Sequence, residues 1–195
     1  RAAVKRTFSL AEGEELKAIE YLSKKDILCE CLLRDLERLG FVGDEVGKKV
    51  LYLAAPSRKF AHPINVLSVA NSAAGKSFAQ ETILSLIPDD QVLNFTRISP
   101  MGFSHFGRHD LKYRVVRIDE LSGIDPVEAM YQIRSLISSG FISTGFTSID
   151  RQTGRMETLH KEVLGPVAVM TSTTHEELID DETRSRCRIL TTPED

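Results

Sequence analysis

The sequence is poor in several residue types that define particular protein classes. Its 195 residues include no tryptophan, three cysteines and seven prolines, and the formal net charge is only −3. A small, odd number of cysteines does not provide a disulfide framework and favours a reducing compartment. The near balance of charge argues against a protein that coats polyanions with its whole surface, although a local basic patch can still bind nucleic acid.

Long apolar runs are also missing. No stretch approaches the roughly 20 residues of a membrane span, and the charged opening RAAVKRTFSLAEGEE lacks the apolar core of a signal peptide. We therefore expect a cytoplasmic protein with no membrane partner. The length suits one α/β domain with a helical appendage better than two large independent domains.

The strongest pattern runs from Ile64 to Leu86 and predicts a strand, a loop of small residues and a helix. INVLSV is apolar and short enough for a buried parallel strand, and Phe78, Ile83, Leu84 and Leu86 are spaced as in an amphipathic helix. The backbone N–H groups of such a loop, with the positive end of the next helix, bind polyphosphates. The pattern therefore predicts a nucleotide-binding loop.

The predicted loop resembles the Walker A motif, with Ala70 in place of its first glycine. Lys76 would contact the β- and γ-phosphates, and the Ser77 hydroxyl would bind Mg²⁺. Gly-Lys-Ser alone could be a chance surface turn, but the flanking strand and helix favour the nucleotide site. The predicted nucleotide-binding residues are Ala70, Asn71, Ser72, Ala73, Ala74, Gly75, Lys76 and Ser77.

A second apolar strand, in YRVVRIDEL, ends in the paired carboxylates Asp119 and Glu120. After a phosphate loop this arrangement is typical of Walker B, in which Asp119 completes the Mg²⁺ shell and Glu120 orients or activates the attacking water. Paired carboxylates at a strand end are otherwise more often solvated. A later apolar strand ends in TSTT, from which Thr173, or alternatively Thr171, could contact the γ-phosphate or the water.

The remaining patterns predict helices before the loop and a β-hairpin after it. Helical spacing from Glu14 to Pro56 predicts three short helices, the second of them capped by Ser23 and Asp26. We divide the chain into an N-terminal helical segment, 1–60, and a core, 61–195. Period-two patterns on either side of a polar turn predict a hairpin at about 141–163. Its tip carries Arg151 and Arg155, which could contact DNA or form a solvated loop.

Together these motifs resemble the AAA+ ATPases with a pre-sensor β-hairpin, and most closely the MCM-like helicase domains of bacterial, phage or mobile-element replication proteins. The similarity covers about residues 50–190. It implies a three-layer α/β P-loop NTPase core with a parallel sheet, an N-terminal helical segment and an inserted hairpin. It further implies ATP and Mg²⁺ as cofactors, DNA as a partner, and self-association into a ring, usually a hexamer.

The resemblance also assigns roles to individual residues. Glu120 becomes the catalytic carboxylate and Thr173 the first sensor. Ser185-Arg186-Cys187 stands where the family has Ser-Arg-Phe, which makes Arg186 the implied arginine finger, acting on ATP in a neighbouring subunit. Arg184 is the alternative. The family's helical lid should follow a strand at Ile189–Thr192, and we expect it to be absent from this chain.

The interpretation we favour is an ATP-hydrolysing motor domain, a DNA helicase or translocase acting in DNA replication. One alternative is an ATP-dependent assembly switch or loader that does not move along DNA. Another is a P-loop kinase, because such kinases share the loop. Asp119-Glu120 fits water activation better than phosphoryl transfer to an alcohol, and DNA-stimulated ATP hydrolysis would distinguish the motor from the switch.

Overall fold

Helices form the N-terminal part of the computed structural model, which describes residues 11, 13–69, 75–96, 98–99, 101–119, 126–149, 155–174 and 179–191. The three predicted helices are present: α1 (Glu14–Leu22), α2 (Leu32–Arg38), which is entered through a π-helical turn at Ile27–Cys31, and α3 (Glu45–Ser57). The predicted cap at Ser23 is wrong. Ser23 ends α1 and its hydroxyl donates to the carbonyl of Ile19 at 2.6 Å.

The core is a five-stranded, entirely parallel sheet in the order β2-β3-β6-β1-β7. Parallel pairing requires crossover connections: the helices α4, α5 and α6 lie in three of them, and the connection from β2 to β3 contains the short 3₁₀ turn at Gly102–His105. The predicted α/β fold with a parallel sheet is confirmed. The strands are β1 (Val66–Val69), β2 (Val92–Phe95), β3 (Arg114–Ile118), β6 (Val167–Thr173) and β7 (Arg188–Thr191), and the helices are α4 (Lys76–Leu84), α5 (Pro126–Ser139) and α6 (Asp181–Arg186).

Two hydrophobic clusters cover the two faces of this sheet, because successive strand residues point to opposite sides. On β3, Val115 packs with α2, α3 and α4, whereas Val116 and Ile118 pack with α5. The cluster on the first face contains residues from both sides of the predicted boundary at residue 60. The sheet therefore lies between two helical layers, and the N-terminal helices contribute to one of them.

The predicted hairpin consists of β4 (Phe141–Ile149) and β5 (Met156–Leu164), paired antiparallel along their full length. Its base is anchored in the core, where Ile142 and Val163 form a buried cross-strand pair. The short 3₁₀ turn at Gly102–His105 packs against both strands, and the hydroxyls of Ser104 and Thr144 are 2.9 Å apart. The far half leaves the core and exposes large apolar side chains: Phe146, Ile149, Met156 and Leu159.

Several apolar side chains that follow a helical spacing in the sequence are exposed. In α4, Ile83 and Leu84 are buried, but Phe78 is 46% exposed and Leu86, just beyond the helix, is also exposed. In α1 no residue is buried, and its apolar stripe of Leu16, Ile19 and Leu22 faces outward. The spacing of apolar residues along the sequence predicts a helix, but the packing of other chain segments decides whether those residues are buried. Within the described ranges, no helix is long and apolar enough to cross a membrane.

Candidate nucleotide-binding site

The carboxyl ends of β1, β3 and β6 meet at one edge of the sheet, where ligands of open α/β sheets bind. Because β6 lies between β1 and β3, its last residue is placed between the end of the Walker A strand and the end of the Walker B strand. Val69, the last residue of β1, is aligned with Thr173, the last residue of β6. The fold therefore brings the three predicted motifs together.

Gly75 belongs to the predicted phosphate loop and lies directly before α4. Its backbone is left-handed, with φ 74°, and α4 begins immediately after it. A Cβ at this position would have no atom within 4 Å, so the conformation and not the available space favours glycine. The backbone of Lys76 and the exposed Ser77 lie in the first turn of α4. The positive end of this nine-residue helix is thus directed toward the loop.

Several predicted site residues lie outside the described part of the chain. These are Glu120, Arg151 and the loop residues Ala70, Asn71, Ser72, Ala73 and Ala74. Their predicted roles remain predictions. For Lys76 the structure describes the backbone and not the side chain.

Asp119 follows β3 directly and is fixed by both neighbouring strands. Its backbone N–H donates to the carbonyl of Phe95 at the end of β2, at 2.9 Å. Its carbonyl accepts a hydrogen bond from the hydroxyl of Ser172 on β6. The Oδ1 atom of its side chain lies 2.7 Å from Nη2 of Arg117. The carboxylate therefore has a defined position at the edge of the sheet on which the loop converges.

Thr173 and Thr171 differ in what their positions allow. Thr173, at the end of β6, is 1% exposed and lies between the two predicted motifs. The hydroxyl of Thr171 donates to the carbonyl of Ile118 at 3.1 Å, and its own carbonyl accepts from the buried amide of Gln80 at 3.2 Å. Thr171 thus ties β6 to β3 and α4, two residues before the end of the strand at which Thr173 lies.

The donors at this edge suit a magnesium ion held jointly with phosphate. Within the described ranges, no group of three or more His, Cys, Asp or Glu side chains is placed to hold a metal. Magnesium in nucleotide sites is ordinarily bound by one or two protein oxygens, together with substrate phosphates and water. Asp119 and the exposed hydroxyl of Ser77 provide oxygens of that kind. They fit Mg²⁺ that arrives with a nucleotide.

A cavity that the sequence did not predict lies beside Gly75. It measures about 240 Å³, smaller than the roughly 300–1,000 Å³ of a complete small-molecule pocket, so it suits part of a nucleotide. Phe41 and Phe78 meet there edge to face, with centroids 6.5 Å apart. The lining comes from Gly75, from the loop between α2 and α3, and from α3, β1, α4 and β7; it includes Phe41, Val42, Phe78 and Leu190 together with the polar Asp44 and Ser68. Its apolar walls suit a planar base.

Two features could have indicated this cavity from the sequence. The segment GFVGD places two apolar residues in a loop between helices, where apolar side chains have no local partner. Phe78 directly follows the predicted loop, where its neighbour could be the ligand. In the sequence, the spacing of Phe78 with Ile83 and Leu84 indicated only the helix and not the cavity.

Arg186 lies apart from the phosphate loop of its own chain. It is the last residue of α6, and its Nη1 lies 2.7 Å from Oε1 of Glu182, one turn earlier. β7 begins two residues later, and its first residue is aligned with Val66 at the opposite end of β1 from the loop. Arg186 is therefore near the amino-terminal edge of the sheet, and the fold does not bring it to the site formed by Gly75 and Asp119.

Arg134 lies near Arg186 on the surface formed by α5 and α6. Its guanidinium contacts Asp180 and lies 3.6 Å from Glu182, so Glu182 interacts with both arginines. Partial burial, which alone would raise the pKa of Asp180, is outweighed by hydrogen bonds from Thr183 and by the charges of Arg134 and Arg186. The pKa of Asp180 therefore lies below its ordinary value. Arg134 and Arg186 on this surface are thus held by the carboxylates of Asp180 and Glu182.

Arg155 is the hairpin-tip arginine that the structure describes. It immediately precedes β5 and is exposed. It lies at the end of the hairpin remote from the buried pair at the base.

A parallel sheet with a left-handed glycine at the start of α4, and with carboxylate and hydroxyl side chains at the same edge, defines a P-loop nucleotide-binding protein. The sequence profile of the family described as the MTBMA_p00010 P-loop domain matches residues 11–138, and the chain belongs to this family. The match includes both predicted Walker motifs and ends before the hairpin. No curated protein matches the chain.

Proposed function

We propose that the chain is an ATP-hydrolysing motor domain that acts on DNA, as a helicase or translocase in DNA replication. The observation that carries the hydrolytic part is the convergence of Gly75, Asp119 and Thr173 on one edge of the sheet in a P-loop family member. The loop and the start of α4 would hold the phosphates, and Ser77 and Asp119 would hold Mg²⁺. The magnesium ion would neutralise charge on the phosphates.

Hydrolysis further requires a group that orients water and a cation that stabilises the leaving charge. We assign the first role to Glu120, the next residue after Asp119. We assign to Thr173, at the end of the adjacent strand β6, a polar contact with the γ-phosphate or the water. The position of Arg186 near the opposite edge of the sheet argues against a role in its own site. The same position supports a role for Arg186 at the ATP bound by a neighbouring copy of the chain. Such copies would form a ring, for which we expect six subunits.

The DNA-related part of the proposal is supported by the hairpin. Each strand has nine residues, which at a rise of about 3.3 Å per residue gives a length of about 30 Å. The base is fixed in the core by Ile142 and Val163, and the two strands extend from it to the exposed Ile149 and Met156, which flank the predicted tip in the sequence. Arg151 and Arg155 at that tip provide positive charge for a phosphate backbone.

The test is ATP turnover by the full-length protein with and without single-stranded DNA. We expect hydrolysis that DNA stimulates. The Lys76→Ala variant should lose most ATP binding, whereas Glu120→Gln should bind ATP and hydrolyse it at least about a hundredfold more slowly. Hydrolysis by Glu120→Gln at the parent rate would show that another residue activates the water.

DNA binding is tested by the double variant Arg151→Ala/Arg155→Ala in the same protein. It should keep basal ATP hydrolysis and bind DNA with a salt dependence lower by about one unit of slope for each lost phosphate contact. An unchanged slope would make the tip a solvated turn. ATP binding and hydrolysis that DNA does not stimulate would favour the assembly switch over the motor.

A further inference from the structure

A buried arginine occupies the Walker B strand, two residues before Asp119. The side chain of Arg117 is 6% exposed, and its neighbours Val116 and Ile118 are fully buried. An apolar residue would satisfy the packing of a central strand at lower desolvation cost, and a buried charge is tolerated when it is paired. The partners of Arg117 are therefore informative about why a charge is present.

One nitrogen of Arg117 links two carboxylates from different elements. Nη2 lies 2.7 Å from Oδ1 of Asp119 and 3.0 Å from Oε1 of Glu81. Glu81 belongs to α4, the helix that starts at the phosphate loop. Arg117 thus connects the Walker A helix to the carboxylate of Walker B.

This contact leaves the two oxygens of Asp119 in different environments. Oδ1 is buried against Arg117 and accepts no aligned hydrogen bond among the described residues, whereas the Asp119 side chain as a whole is 35% exposed. The second oxygen, Oδ2, is consequently the one available to a metal ion. Groups that hold a ligating carboxylate in one orientation raise its affinity for metal.

The charges also remain balanced when a metal binds. If Asp119 were shared between Arg117 and Mg²⁺, it would give up part of its negative charge to the metal. The carboxylate of Glu81, 3.0 Å from Nη2 of Arg117, would then keep the buried guanidinium paired. The side chain of Glu81 is 60% exposed, so the pair remains in contact with solvent.

We propose that Arg117 is a positioning residue for the magnesium site, which orients Asp119 so that Oδ2 faces the metal, and that Glu81 holds Arg117 in place. The inference rests on the proposed function, in which Asp119 binds the Mg²⁺ of a bound nucleotide. A purely structural Arg117 would affect stability equally with and without the metal. A positioning residue changes the magnesium dependence itself.

The experiment is a Mg²⁺ titration of the binding of a fluorescent ATP analogue to the full-length protein. Arg117→Met replaces the aliphatic stem of arginine by an unbranched side chain of similar length and removes the guanidinium with its charge. It should raise the Mg²⁺ concentration needed for half-maximal binding by about 10- to 100-fold, the range found for partners of metal ligands. Binding in excess EDTA should match that of the parent protein. Glu81→Gln should raise the Mg²⁺ requirement by a smaller factor.

Two variants serve as references. Asp119→Asn should raise the Mg²⁺ requirement at least as much as Arg117→Met. Arg114→Gln alters an arginine on the same strand, at its opposite end, and should titrate like the parent protein. If Arg117→Met does not fold, which its melting curve would show, Glu81→Gln replaces it, because Glu81 is exposed.

The outcomes separate the inference from the proposed function. A parent protein that does not bind the analogue, or an Asp119→Asn titration equal to that of the parent, refutes the proposed magnesium site and the inference with it. A shifted Asp119→Asn titration together with parent-like titrations of Arg117→Met and Glu81→Gln overturns the inference alone. If Arg117→Met does not fold, the Glu81→Gln titration decides. A titration like that of the parent protein overturns the inference, and a higher Mg²⁺ requirement supports it.

Discussion

Replacement of Gly75 by alanine tests whether the left-handed start of α4 is needed for nucleotide binding. Gly75 has φ 74°, and a Cβ placed there meets no atom within 4 Å, so the substitution adds conformational strain without a steric clash. The left-handed conformation costs a non-glycine residue about 1–2 kcal/mol. Alanine also lowers the conformational entropy of the unfolded chain, and this effect offsets about 0.4–1 kcal/mol of the cost.

The net expectation is a loss of about 1 kcal/mol in the free energy of unfolding. For a domain of this size, such a loss lowers the melting temperature by about 2–4 °C. Relief of the strain would rotate the backbone N–H groups at the start of α4 away from the loop. Nucleotide affinity should therefore fall at least about fivefold, which corresponds to about 1 kcal/mol.

The chain offers a matched control in Gly140, just after α5. Its φ is 75°, and a Cβ there also meets no atom within 4 Å. Gly140→Ala should lower the melting temperature by the same amount as Gly75→Ala and leave nucleotide affinity unchanged. The assays are thermal unfolding followed by circular dichroism and titration with a fluorescent ATP analogue. Equal nucleotide affinity of the parent and Gly75→Ala, with both melting temperatures lowered alike, would refute the requirement for this backbone conformation.

Two further predictions concern α6 and the residue after it. Arg186→Ala should bind ATP normally and hydrolyse it about a thousandfold more slowly, and mixing it with Lys76→Ala should partly restore turnover. Mixed oligomers seen by light scattering without restored turnover would exclude a trans role for Arg186. Burial raises the pKa of the Cys187 thiol to about 11, so iodoacetamide at pH 8 should alkylate exposed Cys29 at least about a hundredfold faster. Comparable rates of both thiols, measured by mass spectrometry, would contradict this burial.

The features predicted correctly depend on neighbours in the sequence. An apolar run, a loop of small residues with glycine and a helical pattern lie within 23 consecutive residues, and the structure has β1 and α4 in those places. The hairpin was equally predictable, because its two strands are close neighbours in the sequence and both follow a period of two. Such patterns report local backbone preferences, which act over a few residues.

The errors concern packing between distant segments. The spacing of Leu16, Ile19 and Leu22 correctly predicts a helix, but no part of the described fold buries them. Phe78 has the spacing of a buried residue and instead meets Phe41 at the edge of a cavity. Periodicity identifies one face of an element, and only the position of the other elements decides what that face contacts.

The sequence by itself determined the parts of the nucleotide site: a glycine that can adopt a left-handed conformation, a lysine and a serine at the start of a helix, and carboxylates at the end of a strand. The tertiary structure decided their arrangement. The sheet order inserts β6 between β1 and β3, which brings Thr173 between the two motifs, and it places Arg186 near the opposite edge. It also pairs Arg117 with Glu81, 36 positions away in the sequence. A buried arginine needs a partner, but which carboxylate provides it depends on the path of the whole chain, since contacts between distant segments follow no local period.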